Sequence, residues 1–115
     1  MKRIIVVAIL MFFTALLFSH PASSIKAEFD LETATLTVKF SHSVGNTQKH
    51  YIEEVIVYLN NDEVIRQALT TQQTEHGGNL IYIIPDAKEN DTIKIKTTCN
   101  KFGSKKTKLT VSAQP

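Results

Sequence analysis

The residues of this sequence best suited to chemistry are three histidines and one cysteine: His42, His50, His76 and Cys99. Imidazole nitrogen and thiolate sulfur are good donors to iron, copper and zinc. A single loop histidine is usually only a solvated polar residue, and a single cysteine at a strand end usually packs as a small apolar side chain. These residues therefore indicate a metal site only if the fold brings them together.

The elements that would position them are β-strands, because apolar and polar residues alternate along most of the chain after residue 27. A turn sequence, Asn60-Asn61-Asp62, separates two of the alternating segments. Seven short strands without helical periodicity predict an all-β fold, an immunoglobulin-like antiparallel β-sandwich. The predicted strands lie near residues 26–31, 35–40, 51–59, 63–69, 80–84, 93–96 and 109–111.

The order of these strands predicts where the histidines and the cysteine lie. In an antiparallel sandwich each strand carries the chain from one end to the other, so the loops after the second, fourth and sixth strands share one end. Those loops are residues 42–50, 70–78 and 99–106, and they contain all four metal-binding candidates. Three or four of these side chains could therefore bind one ion.

The N-terminal segment has the pattern of a secretory signal peptide. A basic start at residues 2–3 precedes an apolar run over residues 4–18, and small residues with a proline follow. The run is shorter than the roughly 20 residues that a membrane-spanning helix needs. We expect an exported, periplasmic or secreted protein that has no membrane association after cleavage. An uncleaved N-terminal anchor is the alternative.

The predicted cleavage site divides the chain into a leader and one domain. Ala22 and Ser24 form a small-residue pair, so cleavage is expected after Ser24, or as late as Ala27. The leader is then residues 1–24, and the domain is residues 25–115.

Charge and cysteine content restrict the function of this domain. The chain has 13 Lys plus Arg and 11 Asp plus Glu, and two of the basic residues lie in the leader, which leaves 11 against 11. The lysine-rich C-terminal third lacks arginine, which argues against nucleic-acid binding and favours a solvated lysine face on an edge strand. Cys99 is the only cysteine, so no intrachain disulfide can form. A lone cysteine in an oxidising compartment is expected to be buried, bound to a metal or reactive.

Two segments around these residues resemble the motifs of a known family. The first is His42-Ser43-Val44 followed by Lys49-His50-Tyr51-Ile52-Glu53, and the second is Cys99-Asn100-Lys101-Phe102-Gly103. They resemble the His-Pro-Met/Val…His-Tyr-Ile and Cys-Asn-x-His-Gly segments of superoxide reductases, the desulfoferrodoxin and neelaredoxin iron domain. The resemblance covers about residues 28–112.

The resemblance implies a non-haem ferrous iron site. In that family four histidines and an axial cysteine thiolate bind the iron, and an electron donor supports the reduction of superoxide to peroxide. Carried over by position, His42 and His50 would be equatorial ligands and Cys99 the axial ligand. The thiolate would tune the iron electronically.

The ligand set implied by the resemblance is incomplete. Phe102 stands where the family has a histidine, and the family's first histidine has no counterpart between Ile25 and Thr35. Three of the five ligands remain, and His76 is a candidate fourth. We therefore expect a divergent iron-binding domain whose superoxide reductase activity is weak or lost, and whether it is an enzyme stays open. Zinc and copper are less favoured than iron.

One alternative needs no metal. The chain is also similar to the sulfur-oxidation carrier component SoxZ, a small sandwich with a comparable His-Phe-Ile segment. This resemblance implies a non-enzymatic binding module for an exported protein partner, in which Cys99 is buried and the His50-Tyr51 segment is structural.

Overall fold

The computed structural model describes residues 20–113, which form seven β-strands and no helix. In this part of the chain, no helix has the length and apolar character needed to cross a membrane. Residues 1–19 of the predicted leader lie outside the described residues, and residues 20–24 lie within them. The strands are β1 (Ser24–Asp30), β2 (Thr35–Ser41), β3 (Ile52–Leu59), β4 (Asp62–Ala68), β5 (Gly77–Ile83), β6 (Thr92–Cys99) and β7 (Ser104–Thr110).

The strands form two antiparallel sheets. One sheet has the order β1-β2-β5, and the other has the order β4-β3-β6-β7. The prediction of a seven-stranded immunoglobulin-like sandwich is confirmed. Strand β7 lies at the edge of the larger sheet and exposes three lysines, which agrees with the predicted lysine face: Lys105, Lys106 and Lys108.

The core lies between the inner faces of the two sheets. Alternate residues of β2 point inward, as do those of β6. Strand β3 is buried through its middle, which fits its continuous β-branched and aromatic sequence. The buried apolar side chains contributed by these three strands include Leu36, Val38, Phe40, Ile52, Val55, Val57, Ile93 and Ile95.

Strand β5 begins earlier than the alternation predicted. Gly77 pairs with Ser41, and Gly78 pairs with Phe40. A β-carbon on Gly77 would collide with the carbonyl oxygen of Phe40, and the Gly77 φ of +147° lies in a region that disfavours other residues. The two glycines therefore allow the backbone of β5 to lie close to β2. The sequence pattern instead predicts that both belong to the loop of residues 70–78.

One end of the sandwich collects the loops that carry the candidate ligands. Strand register brings Ser24 beside Ser41, and Ile52 beside Cys99. The loops β2–β3, β4–β5 and β6–β7 therefore meet at this end, as predicted. The chain before β1 also arrives there, because β1 starts where β2 ends. We call this end the histidine pole.

Candidate metal centre

His42 lies directly after β2 and is fully buried. Its backbone N–H donates to the carbonyl oxygen of His76 at 2.8 Å, which extends the pairing of β2 and β5 by one residue. The buried ring therefore projects into the pole from a rigid strand end rather than from a free loop.

Gln72 determines how the His42 ring is presented. The Gln72 side-chain nitrogen donates to the carbonyl oxygens of His42 (2.8 Å) and Thr74 (2.9 Å), so its Oε1 must be an acceptor. That oxygen lies 2.7 Å from His42 Nδ1 and also accepts the Ile52 N–H. Nδ1 therefore carries a proton, and in the neutral ring Nε2 holds the lone pair that a metal requires.

The carbonyl oxygen of His20 lies 3.1 Å from His42 Nε2. A carbonyl only accepts hydrogen bonds, so the ring can donate to Gln72 and to His20 together only as imidazolium. Binding a metal through Nε2 requires the neutral ring and displacement of this carbonyl.

His50 is positioned by a turn at the end of the β2–β3 loop. The carbonyl oxygen of Asn46 accepts the N–H groups of Lys49 and His50, and the Asn46 side chain accepts the N–H of Gln48. His50 Nε2 lies 3.2 Å from Cys99 Sγ. Two ligand atoms of one ion, each at 2.0–2.3 Å from it, are about 3–4 Å apart, so this separation suits a shared metal.

Burial and neighbouring groups lower the pKa of His50. Burial has the largest effect, and electrostatic repulsion from His42, His20 and Lys101 lowers the pKa further. At neutral pH the imidazole therefore offers a lone pair, because the protonated form is disfavoured.

Cys99 ends β6 and is 3% exposed. Its sulfur accepts the backbone N–H of Lys101 at 3.4 Å, and its own N–H donates to the Gly103 carbonyl at 2.9 Å. Gly103 has a φ of +82°, which closes this tight loop around the sulfur. The N–H of Lys101 and the closed loop hold the sulfur in place beside the His50 ring.

Asn100 joins the cysteine loop to the His50 segment. Its backbone N–H donates to Tyr51 O, its side-chain oxygen accepts the Tyr51 N–H, and its side-chain nitrogen donates to Lys49 O, all at 3.0 Å. The Cys-Asn and His-Tyr pairs of the sequence thus lock to each other, and this lock holds His50 beside Cys99.

The structure brings together His42, His50 and Cys99, one ligand atom of each lying within 4.8 Å of the others. The ring centroids of the two histidines are 4.8 Å apart.

His76 lies outside this group. Its side chain is exposed, and only its backbone carbonyl reaches the site, where it accepts the N–H of His42. Phe102 is 58% exposed. Among residues 20–113, no carboxylate belongs to the group.

His20 places a third imidazole ring beside those of His42 and His50 at the histidine pole. Its ring centroid lies 5.2 Å from that of His42 and 5.5 Å from that of His50. The sequence prediction missed it because residue 20 falls in the predicted leader. The available signal was strand order: the residues before the first strand share the end at which the second strand finishes.

Gln72 was also missed, because nothing separates it from its polar neighbours in the 70–78 segment. Its role follows from burial in the fold, where its side chain is 4% exposed.

The comparisons with known proteins show a shared fold. No family model matches the chain, and no curated protein matches it in sequence. Among solved structures, two of a superoxide reductase (neelaredoxin) from Ignicoccus hospitalis align with this chain, each with a TM-score of 0.54 and 14% identity. The first alignment covers 82% of each chain, and the second covers 81% of this chain and 82% of the other. The chain is therefore distantly similar in fold to superoxide reductases, and its His/Cys group is compatible with a metal site.

Proposed function

We propose that this protein is an exported, desulfoferrodoxin-like domain that binds ferrous iron through His42, His50 and Cys99, with superoxide reductase activity weak or lost. One observation carries the proposal: ligand atoms of His42 and His50, from the β2–β3 loop, and of Cys99, from the end of β6, lie within 4.8 Å of one another at one end of the sandwich. A fold shared with superoxide reductases supports iron as the metal.

The donor set fits iron chemically. Two imidazoles and a thiolate suit ferrous iron as well as zinc or copper, so the fold rather than the ligands favours iron. When bound, ferrous iron would supply the one electron that, with two protons, converts superoxide to hydrogen peroxide.

The residues around the site have separable tasks. Gln72 holds the His42 tautomer, and Asn100 holds His50 against Cys99. Lys101, whose backbone N–H contacts Cys99 Sγ, carries a positive charge that would attract a superoxide anion. Phe102, in the position of a family histidine, offers no donor atom, which supports weak turnover.

The proposal also includes export of the protein and an external electron donor that would reduce the iron again. The basic start and apolar run before residue 19 support export. Metal ligation would also give a lone cysteine a stable role outside the reducing cytosol.

Anaerobic titration with ferrous iron tests this function. We expect one iron per chain and, on oxidation, a visible thiolate-to-iron charge-transfer band. Cys99→Ser should abolish the band, His50→Ala should weaken binding, and His76→Ala should change neither because its side chain is exposed. Substoichiometric iron that is indifferent to Cys99→Ser and His50→Ala would refute the site.

The metal-free binding module has one structural observation in its favour. Ile81 is 69% exposed and Ile83 is 57% exposed on β5, which lies at the edge of its sheet. An exposed apolar edge strand can pair with a partner's strand. The same titration separates the two functions, because the binding module predicts no difference in iron content between the wild type and Cys99→Ser.

A further inference from the structure

The residues before β1 are part of the folded domain. Ala22 is 2% exposed and belongs to the core, and the Ser23 N–H donates to the Ser41 carbonyl at 2.8 Å. Pro21 packs against Gly103, since a β-carbon on Gly103 would lie 3.2 Å from Pro21 Cδ. Residues 20–23 thus lie across the cysteine loop and extend the pairing of β1 with β2.

This packing bears on where the leader ends. Cleavage after Ser24 or Ala27 would remove the buried Ala22 and the His20 ring. The apolar run ends at Phe18, and Ser19 is the one small residue between that run and His20. Ser19 would supply the small residue directly before the cut, and Leu17 stands at the other position of the A-x-A-like pattern, so the packing of residues 20–23 carries this choice of site. Cleavage after Ser19 would keep the whole packed segment.

We propose that the leader is removed after Ser19, so that His20 becomes the first residue of the exported protein, and that its α-amino group and imidazole complete the metal site. The second half of this inference rests on the proposed function. An N-terminal histidine can chelate one ion through two nitrogens, its amine and its ring Nδ1. An internal histidine has no free amine to offer.

The count of donor atoms supports this role. His42 and His50 supply one nitrogen each, and Cys99 supplies a thiolate. His20 lies outside that group in the structure, with its ring centroid 5.2 Å and 5.5 Å from those of His42 and His50, and after rotation it would add two nitrogens. The resulting set of four nitrogens and one sulfur has the same atom types as the ligand set implied by the family resemblance. The site would then have five donor atoms, although position 102 holds a phenylalanine.

The contacts that His20 makes are weak enough to be exchanged for a metal. Its Nδ1 lies 3.0 Å from the Pro21 carbonyl, and its own carbonyl lies 3.1 Å from His42 Nε2. The Nδ1 contact belongs to a half-buried side chain and is worth about 0.5–1.5 kcal/mol net as a hydrogen bond, and the Nε2 contact is a hydrogen bond only while that nitrogen carries a proton. Rotation of one side chain and one peptide unit would free both ligand rings.

The processing half is tested by expressing the full chain in an export-competent host and measuring the intact mass and N-terminal sequence of the exported protein. We expect His20 as the first residue. A first residue of Ile25 or Glu28, or retention of the leader, would overturn the proposal.

The ligand half is tested by anaerobic ferrous iron titration of protein that begins at His20. The comparison includes His20→Ala, a form with one extra glycine before His20, and His76→Ala as the matched histidine control. The extra glycine keeps the ring but removes the free amine, and it leaves the folded segment intact. We expect the first two changes to raise Kd at least about tenfold, since even outer-shell partners of a metal change affinity 10–100-fold.

The outcomes separate the two proposals. Tight binding that is insensitive to both His20 changes would overturn this inference and leave the proposed function standing. Weakening by His20→Ala alone would overturn the role of the amine. Failure of protein that begins at His20 to bind iron at all would overturn the proposed function, while the mass of the exported protein would still decide the cleavage site.

Discussion

Gln72 shows how one buried polar residue can decide the chemistry of its neighbour. Its amide makes four hydrogen bonds, two as donor and two as acceptor, so its orientation is unambiguous. Through that orientation it decides which nitrogen of His42 carries the proton. Cys99 has a comparable dependence on its neighbours, since its sulfur contacts the His50 ring and the Lys101 N–H.

Gln72→Leu tests this residue. The change leaves the carbonyl oxygens of His42 and Thr74 and the Ile52 N–H without their partner. Because each unsatisfied buried group costs about 1–3 kcal/mol, we expect a loss of a few kcal/mol in the free energy of unfolding, measured by urea denaturation. Iron affinity should fall 10–100-fold because the His42 ring loses its hydrogen-bond partner.

Gln48→Leu is the matched control, since Gln48 is exposed at the same end of the molecule. An unchanged iron affinity in Gln72→Leu would show that Gln72 does not position His42.

At the scale of elements, hydrogen bonds between turns hold neighbouring strands in place. The β3–β4 turn uses Asn60 and Asn61 with positive φ angles of 50° and 73°, as a two-residue hairpin requires. Asn60 then binds Asp91 and the Thr92 N–H, which ties the turn to the start of β6. Asn100 does the same at the histidine pole. Both turns use asparagine because its side chain can donate and accept together.

The hydrogen bond between Asn60 and Asp91 makes the stability of the domain depend on pH. The Asn60 side chain, followed by the Lys88 N–H, lowers the pKa of Asp91 below its usual value. The ionised carboxylate therefore contributes stability above the pKa of the unfolded chain, and this contribution is lost as pH falls through the lower folded pKa. We expect Asp91→Asn to flatten the dependence of the urea midpoint on pH between about pH 5 and pH 2.

Glu89→Gln is the control, because Glu89 is exposed on the same loop. An equal flattening in both variants would assign the effect to general charge rather than to the tie between Asn60 and Asp91.

At the scale of the whole molecule, the two sheets bury one core between their inner faces. Ile93 and Ile95 of β6 are fully buried, while Ile81 and Ile83 of β5 face outward. The stability of the domain therefore depends chiefly on the inner faces of the sheets, to which the histidine pole adds the buried Ala22 and Cys99.

Ile95→Ala should lower the free energy of unfolding by about 2–5 kcal/mol, because it leaves a cavity between the sheets. Ile83→Ala, an equal truncation at an exposed site, should change it by less than about 0.5 kcal/mol. Urea denaturation of both variants measures the difference. Equal losses would contradict the sandwich arrangement.

The sequence by itself determined the fold and half of the site. Alternation assigns each strand its inner and outer face locally, and turn residues such as Asn60 and Asn61 separate the strands. The number of strands then decides which loops meet, so the grouping of His42, His50 and Cys99 could be predicted.

Only the tertiary structure decided the rest, because those contacts depend on how loops distant in sequence pack. Gln72 becomes a partner of His42 only when the β4–β5 loop folds against β2. His76, on that same loop, uses its backbone and leaves its ring in solvent. His20 has the sequence context of a leader, and only the packing of Pro21 against Gly103 and the bond from Ser23 to Ser41 place it beside the other histidines. Strand faces follow from local periodicity, whereas side-chain contacts between loops follow from the packing of the whole molecule.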